Sequence, residues 1–380
     1  SANRIKNRRS IAIGTASVAR IPVGRASLPA RPRACDGISF ILAHHARPEQ
    51  RPHRRDCREC NFVTANLTSD APGELYPFES RHLDRSGLRY HYVDEGAGPP
   101  LVCVHGNPTW SFFFRDIIKA FRSEHRVVAP DHIGCGLSDK PGDDQYDYVL
   151  NSRVDDLEAL LDHLRLTENV TLVLHDWGGM IGAACALRRP ERIARLVVFN
   201  TAAFPPPPGK HLPWQLKLAR GSGPLASVLV RGLNLFARGA AHSAVHRRMP
   251  RDVRRAYLAP YDSWANRIGV LRFVQDIPLG PRDRSYDLVR WVDDRLEQLS
   301  RLPTLICWGE RDFVFDTAFL NEWRRRFPDA EVHAFADAGH YVLEDAADRI
   351  IPLMRDFLAR HPIAAPGAAA AVTRAAGGRP

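Results

Sequence analysis

The sequence lacks three features that would assign it to a familiar class of protein. No run of uncharged apolar residues reaches the roughly 20 that a transmembrane helix needs, so no membrane span is expected. Residues 76–362 contain no phosphate-binding loop and no glycine-rich dinucleotide fingerprint, so no cofactor is expected. The one CxxC motif, Cys57 and Cys60, has no second pair that would complete a zinc site, so no metal is expected either.

Acidic residues are absent from the first 35 residues. Residues 1–60 contain 13 Lys and Arg against 4 Asp and Glu, whereas the other 320 residues contain 40 against 39. The net charge of +10 therefore belongs almost entirely to an arm, and nucleic acid is not an expected partner of the neutral body. We predict that residues 1–75 form a basic, disordered extension. Their composition leaves open a targeting segment, or upstream sequence translated ahead of the true start.

Cysteine is sparse and odd in number, with seven in the chain. Cys103 and Cys307 lie in apolar, strand-like runs and Cys185 in a helix-like one, where a thiol packs as a small hydrophobic group. An odd count with buried members favours a reducing compartment, so we predict a cytoplasmic protein.

From about residue 76 the sequence alternates short apolar runs with amphipathic segments. This alternation predicts an α/β fold, with a mostly parallel central sheet and helices on both of its faces. The alternation stops at "FPPPPG", because four consecutive prolines fit neither a strand nor a helix. The following residues are mostly helical in pattern, and we predict helices over 214–221, 224–239, 252–260 and 266–277. We predict a core of residues 76–204 and 301–362, a helical lid at 205–300, and a disordered Ala/Gly tail at 363–380.

Three predicted strands end in groups with catalytic chemistry. Asp176 follows "VTLVLH", Asp312 ends "LICWGERD" and His340 ends "EVHAFADAGH". Active sites form at the carboxyl ends of strands in such sheets, and this chain order is that of the α/β-hydrolase triad. We therefore predict an α/β-hydrolase fold with Asp176 as nucleophile, His340 as general base and Asp312 as the acid that orients His340.

The turn at Asp176 differs from the usual nucleophile turn at one position. A small residue is expected two positions before the nucleophile, but Leu174 is bulky, so the helix is expected to approach the strand at a slightly different angle. Gly178 and Gly179 still permit the tight turn.

A carboxylate in the nucleophile position suits displacement at a saturated carbon. Asp176 is ionised at neutral pH, whereas a serine needs a base to become nucleophilic. A serine would form an ether that water does not readily release, but a carboxylate forms an ester whose carbonyl accepts a second attack. His340 would activate the water for that second step.

The segment "HGNPTW" supplies the other half of the predicted site. The backbone N–H groups of Asn107 and Trp177 are expected to form an oxyanion hole for ester hydrolysis. The side-chain amide of Asn107 and the indole N–H of Trp177 are neutral donors near the nucleophile. We predict that they bind a large, weakly hydrated leaving anion such as a halide or a carboxylate.

The motifs "HGNPTWSFFFR", "PDHIGCGLSDKP", "VLHDWGGMIG", "WGERD" and "DAGHYVLED" resemble those of the haloalkane dehalogenases. In that family the acid follows either the strand before the lid or the strand after it. The first position holds Asn200 and no acid, and the second supplies Asp312. The late acid, combined with Asn107 and Trp177 as halide donors, resembles the third subfamily. The resemblance implies an enzyme that converts a haloalkane and water to an alcohol and halide, through an ester at Asp176.

The same subfamily includes β-lactone decarboxylases, which make cis-alkenes during long-chain hydrocarbon synthesis. The lid segments "NTAAFPPPPGKHLPWQ" and "RFVQDIPL" resemble that branch, so this activity is the first alternative. Both activities use the same five residues and a small hydrophobic substrate. The decarboxylase alternative would also imply assembly with other hydrocarbon-synthesis enzymes, and the oligomeric state stays open.

An epoxide hydrolase is the second alternative, because such enzymes share the "HDWG" motif. The resemblance would then call for lid tyrosines as acids toward the epoxide oxygen, and Tyr257, Tyr261 and Tyr286 are candidates. Asn107 fits a halide-type donor better. A ligand-binding relative without catalysis is disfavoured by the intact triad.

Overall fold

The computed structural model describes residues 73–363 of the chain. The predictions made for residues 1–72 and 364–380, including the CxxC motif, lie outside the described residues. Within the described part, no helix combines the length and the apolar composition that a membrane crossing requires.

An eight-stranded sheet forms the centre of the described chain and confirms the predicted fold class. Its order is β1-β2-β4-β3-β5-β6-β7-β8. The two pairings of β2, with β1 and with β4, are antiparallel, and the remaining five pairings are parallel. The strands are β1 (Arg81–Arg85), β2 (Leu88–Glu95), β3 (Pro100–Val104), β4 (Arg126–Pro130), β5 (Val170–Asp176), β6 (Ile193–Thr201), β7 (Thr304–Gly309) and β8 (Glu331–Phe335).

Eleven α-helices accompany the sheet in the described residues. They are α1 (Arg115–Phe121), α2 (Leu150–His163), α3 (Trp177–Arg188), α4 (Trp214–Arg220), α5 (Pro224–Ser227), α6 (Leu235–Ser243), α7 (Arg251–Leu258), α8 (Ile268–Gln275), α9 (Tyr286–Asp293), α10 (Thr317–Arg326) and α11 (Val342–Arg360). Helices α4 to α9 lie in the insertion between β6 and β7, residues 205–300, which we call the lid.

The central strands are apolar on both faces because both faces are covered. Every residue of β3 and of β5 is buried. Leu172 and Leu174 of β5 pack into the core on one side of the sheet, while Val173 between them packs into the core on the other side. This double burial explains why these strands read as continuous apolar runs.

Three elements differ from the sequence-based expectation. Strand β1 has no apolar alternation, because it pairs only with β2 at the sheet edge and is largely exposed. Helix α9 was not anticipated. The segment 224–239, expected to be helical throughout, is divided by a π-helical turn at Val228–Gly232 and by Asn234, whose φ is +54°. Asn234 is buried and donates to the carbonyl of Tyr261, which fixes the break.

Candidate active site

Asp176 lies at the tight turn between β5 and α3. Its backbone has φ +52° and ψ −126°, which is rare for a residue with a side chain and holds the carboxylate above the strand end. The turn needs Gly178, because a Cβ there would overlap the carbonyl oxygen of Val104. The bulky Leu174 is accommodated by Gly182 of α3, where a Cβ would overlap the Leu174 side chain.

The carboxylate of Asp176 is buried and held by backbone donors. The N–H of Asn107 donates to Asp176 Oδ1 at 2.6 Å, and the N–H of Trp177 also hydrogen-bonds the carboxylate. Burial raises the pKa of Asp176, while the charge of His340 and the two N–H groups act in the opposite direction. The two N–H groups predicted to form an oxyanion hole therefore converge on one carboxylate.

His340 lies between the two aspartates. Its Nδ1 is 2.7 Å from Asp312 Oδ2, and its Nε2 is 3.6 Å from Asp176 Oδ2. Burial alone would lower the pKa of His340, but the charge of Asp312, the hydrogen bond to it and the charge of Asp176 outweigh burial and raise this pKa. The structure thus brings all three predicted triad residues together.

Asn200 supports the acid from the neighbouring strand, a role that the sequence did not suggest. It stands at the alternative acid position, and its amide nitrogen donates to Asp312 Oδ2 at 3.0 Å. The same side chain binds Gly309 through both its N–H and its oxygen, which fixes the orientation of the amide. The other oxygen of Asp312 accepts hydrogen bonds from the N–H groups of Val314 and Phe315. All four lone-pair directions of the carboxylate are therefore directed to donors.

His175 is a second group that sequence reasoning missed. It is fully buried, its Nε2 is 2.9 Å from the carbonyl oxygen of His340, and its ring stacks on Phe113. Burial lowers the pKa of His175 well below its usual range, with the charge of His340 acting in the same direction. The imidazole is thus neutral and holds the backbone of the histidine loop. A histidine directly before Asp176 in a fully buried strand was the available signal.

A cavity of about 420 Å³ opens above Asp176. Asn107, Asp176, Trp177 and His340 form its polar end. The rest of the wall is mainly apolar and comes largely from the lid; it includes Leu212, Leu216, Phe236, Val274, Ile277 and Val289. An apolar cavity with a few convergent polar groups is typical of a binding site for a small hydrophobic molecule.

Both predicted anion donors line this cavity. The indole of Trp177 packs against Phe273 of α8, with the ring centroids 5.5 Å apart. The side-chain nitrogen of Asn107 donates to the carbonyl of Val270, also in α8, at 3.1 Å. An amide nitrogen carries two hydrogens, so one remains for a ligand.

The three lid tyrosines proposed for epoxide chemistry do not line the cavity. Tyr257 donates to Glu344, and Tyr261 donates to the carbonyl of Thr109. Tyr286 lies beside a different surface depression. Their positions disfavour the epoxide hydrolase alternative. Residues 73–363 also contain no group of three or more His, Cys, Asp or Glu side chains arranged to hold a metal ion.

Comparisons with known proteins agree with the described fold. A family model described as "alpha/beta hydrolase fold" matches residues 99–347. The cis-3-alkyl-4-alkyloxetan-2-one decarboxylase of Shewanella oneidensis is 54% identical over 285 residues, covering 75% of this chain and 89% of that protein. Haloalkane dehalogenase 2 of Mycobacterium bovis is 36% identical over 278 residues, covering 73% and 94%.

Solved structures agree. The crystal structure of haloalkane dehalogenase DatA from Agrobacterium tumefaciens C58 superimposes with a TM-score of 0.68 and 26% identity, covering 75% of this chain and 97% of that one. The family resemblance is confirmed, but the higher identity to the decarboxylase favours the first alternative over dehalogenation. The chain is therefore an enzyme of the α/β-hydrolase family, in the group that joins the haloalkane dehalogenases and the cis-3-alkyl-4-alkyloxetan-2-one decarboxylases.

Proposed function

We propose that the protein is a β-lactone decarboxylase that converts cis-3,4-dialkyl β-lactones into cis-alkenes and carbon dioxide. The observation that carries this proposal is the position of Asp176, an anionic nucleophile at the polar end of an apolar cavity. The identity of 54% to a decarboxylase, against 36% to a dehalogenase, supports decarboxylation over the other activity that this position allows.

The first step is displacement at the ring carbon that carries the lactone oxygen. Asp176 Oδ1 is held by the N–H of Asn107, so Oδ2 is the oxygen available for attack. Its bond to the ring carbon forms as the bond from that carbon to the ring oxygen breaks. The released oxygen becomes part of a carboxylate on the neighbouring carbon, and the product is an ester of Asp176.

The new carboxylate is the leaving anion that Asn107 and Trp177 would bind. The indole N–H of Trp177 and the second amide hydrogen of Asn107 are uncharged donors beside an apolar wall. Neutral donors of this kind hold the carboxylate without forming an ion pair too stable to let carbon dioxide depart.

The second step needs no water. The bond between carbon and carboxylate breaks and releases carbon dioxide, its electron pair forms the double bond, and the ester bond to Oδ2 breaks to restore the Asp176 carboxylate. Inversion in the first step, followed by departure of the two groups from opposite faces, gives a cis-alkene from a cis-lactone.

His340 acts differently in this reaction than in ester hydrolysis. Its raised pKa favours the imidazolium form, and Nε2 lies 3.6 Å from Oδ2. A positive charge there stabilises the carboxylate of Asp176 as it leaves the substrate. Asp312 orients the ring through Nδ1 and balances its charge.

Haloalkane dehalogenation is the second candidate, because the same five residues would serve it, with His340 neutral and acting as base for water. The deciding experiment offers purified protein 1-bromohexane and a cis-dialkyl β-lactone side by side and measures bromide and alkene. Alkene as the main product supports the proposal. Fast bromide release without alkene would overturn it and establish the dehalogenase.

The division into a core (residues 76–204 and 301–362) and a lid (residues 205–300) is proposed as functional, with the lid setting which alkyl chains enter. Cytoplasmic location and assembly with other hydrocarbon-synthesis enzymes stay predictions. Fractionation of cells and co-purification with a tagged form of this chain would test them.

A further inference from the structure

Charge is distributed unevenly between the core and the lid. Residues 205–300 contain 16 Lys and Arg against 8 Asp and Glu. Residues 76–204 and 301–362 together contain 22 Lys and Arg against 29 Asp and Glu. Residues 76–362 are nearly neutral as a whole because the positive charge of the lid offsets the negative charge of the core.

Ion pairs between the lid and the core neutralise some of the lid cations. Lys210 pairs with Asp316, Arg247 with Asp337, Arg272 with Asp143 and Arg284 with Asp147. Other lid cations are exposed and have no ion pair among the residues that the structure describes: Lys217, Arg238, Arg248, Arg251 and Arg282. These cations give the outer surface of the lid a positive potential.

The lid also exposes most of the large apolar side chains that reach solvent. Within residues 73–363, nine such side chains are exposed, and all but Phe313 belong to the lid. Trp214 is 70% exposed and Trp264 is 48% exposed. We define the lid patch as Trp214, Leu218, Leu225, Val228, Leu233, Leu235 and Trp264, with the cations Lys217, Arg231 and Arg238.

The residues of the lid patch lie on elements that contact one another. Helix α5 contacts α4 and the π-helical turn at Val228–Gly232, and this turn contacts α6 and the short turn Ala265–Arg267. The guanidinium of Arg231 lies 4.7 Å from the ring centroid of Trp264. Cationic and apolar groups are thus interleaved on one part of the lid.

The lid patch reaches the mouth of the active-site cavity. Leu235 is 49% exposed and also lines the cavity. On α4, Gln215 and Leu216 line the cavity, whereas Trp214 and Leu218 face solvent. Helix α4 therefore contributes residues both to the cavity and to the patch.

We propose that the lid patch binds the surface of an anionic lipid bilayer. Tryptophan is favoured at the boundary between headgroups and acyl chains, and Lys and Arg beside an anionic surface add electrostatic attraction. A second copy of the chain is a poorer occupant, because a two-fold contact would bring the same cations together. The N-terminal arm is a poorer occupant for the same reason, since residues 1–60 are themselves strongly basic.

The benefit of this docking rests on the proposed function. A lactone with two long alkyl chains, and the alkene made from it, partition into lipid rather than water. A cavity mouth next to the bilayer would let both molecules move without crossing the aqueous phase.

Co-sedimentation of the full chain with phosphatidylcholine vesicles, with and without phosphatidylglycerol, tests the proposal. Binding is expected only with phosphatidylglycerol and should weaken as salt is added. Trp214→Ser combined with Leu218→Ser should lower the vesicle affinity at least about tenfold. Lys217→Gln should lower it about fivefold, whereas Lys119→Gln, an exposed lysine of α1 in the core, should leave it unchanged.

Three results would overturn the docking proposal. Undiminished binding of the Trp214→Ser, Leu218→Ser variant would assign vesicle binding to the N-terminal arm. Equal binding to both vesicle types would remove the role of charge. Light scattering that shows a dimer, lost in this variant, would assign the patch to self-association.

Turnover measurements distinguish a failure of the docking proposal from a failure of the proposed function. The Trp214→Ser, Leu218→Ser variant should decarboxylate a detergent-dispersed β-lactone at the wild-type rate. Equal loss of turnover with dispersed lactone and with lactone in vesicles would make the patch part of catalysis and overturn the docking role. Vesicle binding without any alkene formation would leave the docking intact and reject the decarboxylase.

Discussion

Asn200 donates to the same oxygen of Asp312 that lies 2.7 Å from His340 Nδ1. The acid of the triad, in the loop after β7, is therefore supported by an amide from the neighbouring strand β6. Asn200 stands at the alternative acid position of the family and contacts the carboxylate of Asp312, so we expect that an acid at residue 200 could serve His340.

This contact predicts that an aspartate at position 200 can replace Asp312 as the acid of the triad. Asp312→Asn should lower kcat about 10²-fold, because the amide no longer stabilises the positive charge of His340. Adding Asn200→Asp to that variant should restore at least about tenfold, since a carboxylate returns beside His340. Steady-state alkene formation provides the measurement.

Asn200→Asp alone serves as the matched control. It places two carboxylates against one another, so one should retain a proton and activity should fall rather than rise. If the double variant is no better than Asp312→Asn, the side chain at position 200 does not reach the histidine, and the predicted replacement of the acid is wrong.

Asp176→Asn should abolish turnover and leave the fold intact. A neutral amide is a poor nucleophile toward saturated carbon, so kcat should fall at least about 10³-fold. Alkene and bromide assays measure the loss, and circular dichroism checks the fold. Mass spectrometry must exclude deamidation back to Asp. Normal activity in the verified variant would falsify the Asp-nucleophile mechanism.

His340→Gln should affect the two candidate substrates differently. With a haloalkane, Asp176 still attacks but water lacks its base, so intact-protein mass spectrometry should find a stable ester on Asp176. With a β-lactone the ester collapses without water, so alkene should continue to form at a reduced rate and little ester should accumulate.

The result with the haloalkane is the sharper test of the assigned role. Failure to form any ester would show that His340 is needed for the first displacement, contrary to the mechanism given above. Asp176→Asn combined with His340→Gln is the blank, because it has no nucleophile to trap.

The sequence predicted those parts of the site that depend only on short stretches of neighbouring residues. Asp176, Asp312 and His340 each follow an apolar run, and strand ends gather at one edge of a parallel sheet whatever the details of packing. The family resemblance supplied the distinction between Asn200 and Asp312. It could not reveal that Asn200 binds Asp312, because that contact depends on β6 lying beside β7.

Packing between elements was the other part that the sequence did not specify. The expected change in the approach of the helix at Leu174 stays a prediction, but the sequence did not indicate that Gly182 of α3 provides room for the Leu174 side chain. The compensation is visible only when the strand and the helix are in place. The break at Asn234 was missed for a similar reason, since its hydrogen-bond partner, Tyr261, is distant in sequence.

The pH dependence of the two reactions should have opposite signs. Dehalogenation needs neutral His340 as base, so kcat for bromide release should rise with pH through a midpoint above the ordinary histidine value of 6.5. Decarboxylation gains from the imidazolium, so its kcat should fall over that same range. It should also fall at acid pH, where Asp176, whose pKa is raised, takes up a proton.

Rate profiles with a β-lactone and with 1-bromohexane, measured on one preparation, provide the comparison. His340→Gln should remove the limb above pH 6.5 from the decarboxylation profile and leave its acid limb in place, whereas with 1-bromohexane this variant should stop at the trapped ester. Profiles that rise together with pH would mean that His340 acts as a base in both reactions.

Chain length should control activity through the apolar wall of the cavity. Each methylene buried there contributes about 0.8 kcal/mol, or about fourfold in kcat/KM, until the cavity of about 420 Å³ is filled. Long-chain β-lactones and terminal haloalkanes should therefore be better substrates than compounds of two or three carbons. A strong preference for 1,2-dibromoethane would contradict this expectation.

Gly239 allows the cavity itself to be tested. It lies in α6 and lines the cavity, and a Cβ there would meet no atom within 4 Å, so the side chain of Gly239→Leu starts in open space. This variant should lower kcat/KM for a long-chain lactone about tenfold and leave a short-chain lactone nearly unaffected. Gly280→Leu, also in the lid with open space at its Cβ but outside the cavity lining, is the matched control. An equal loss on both chain lengths in Gly239→Leu would mean that the substitution disturbs the catalytic groups, and that the alkyl chains extend elsewhere.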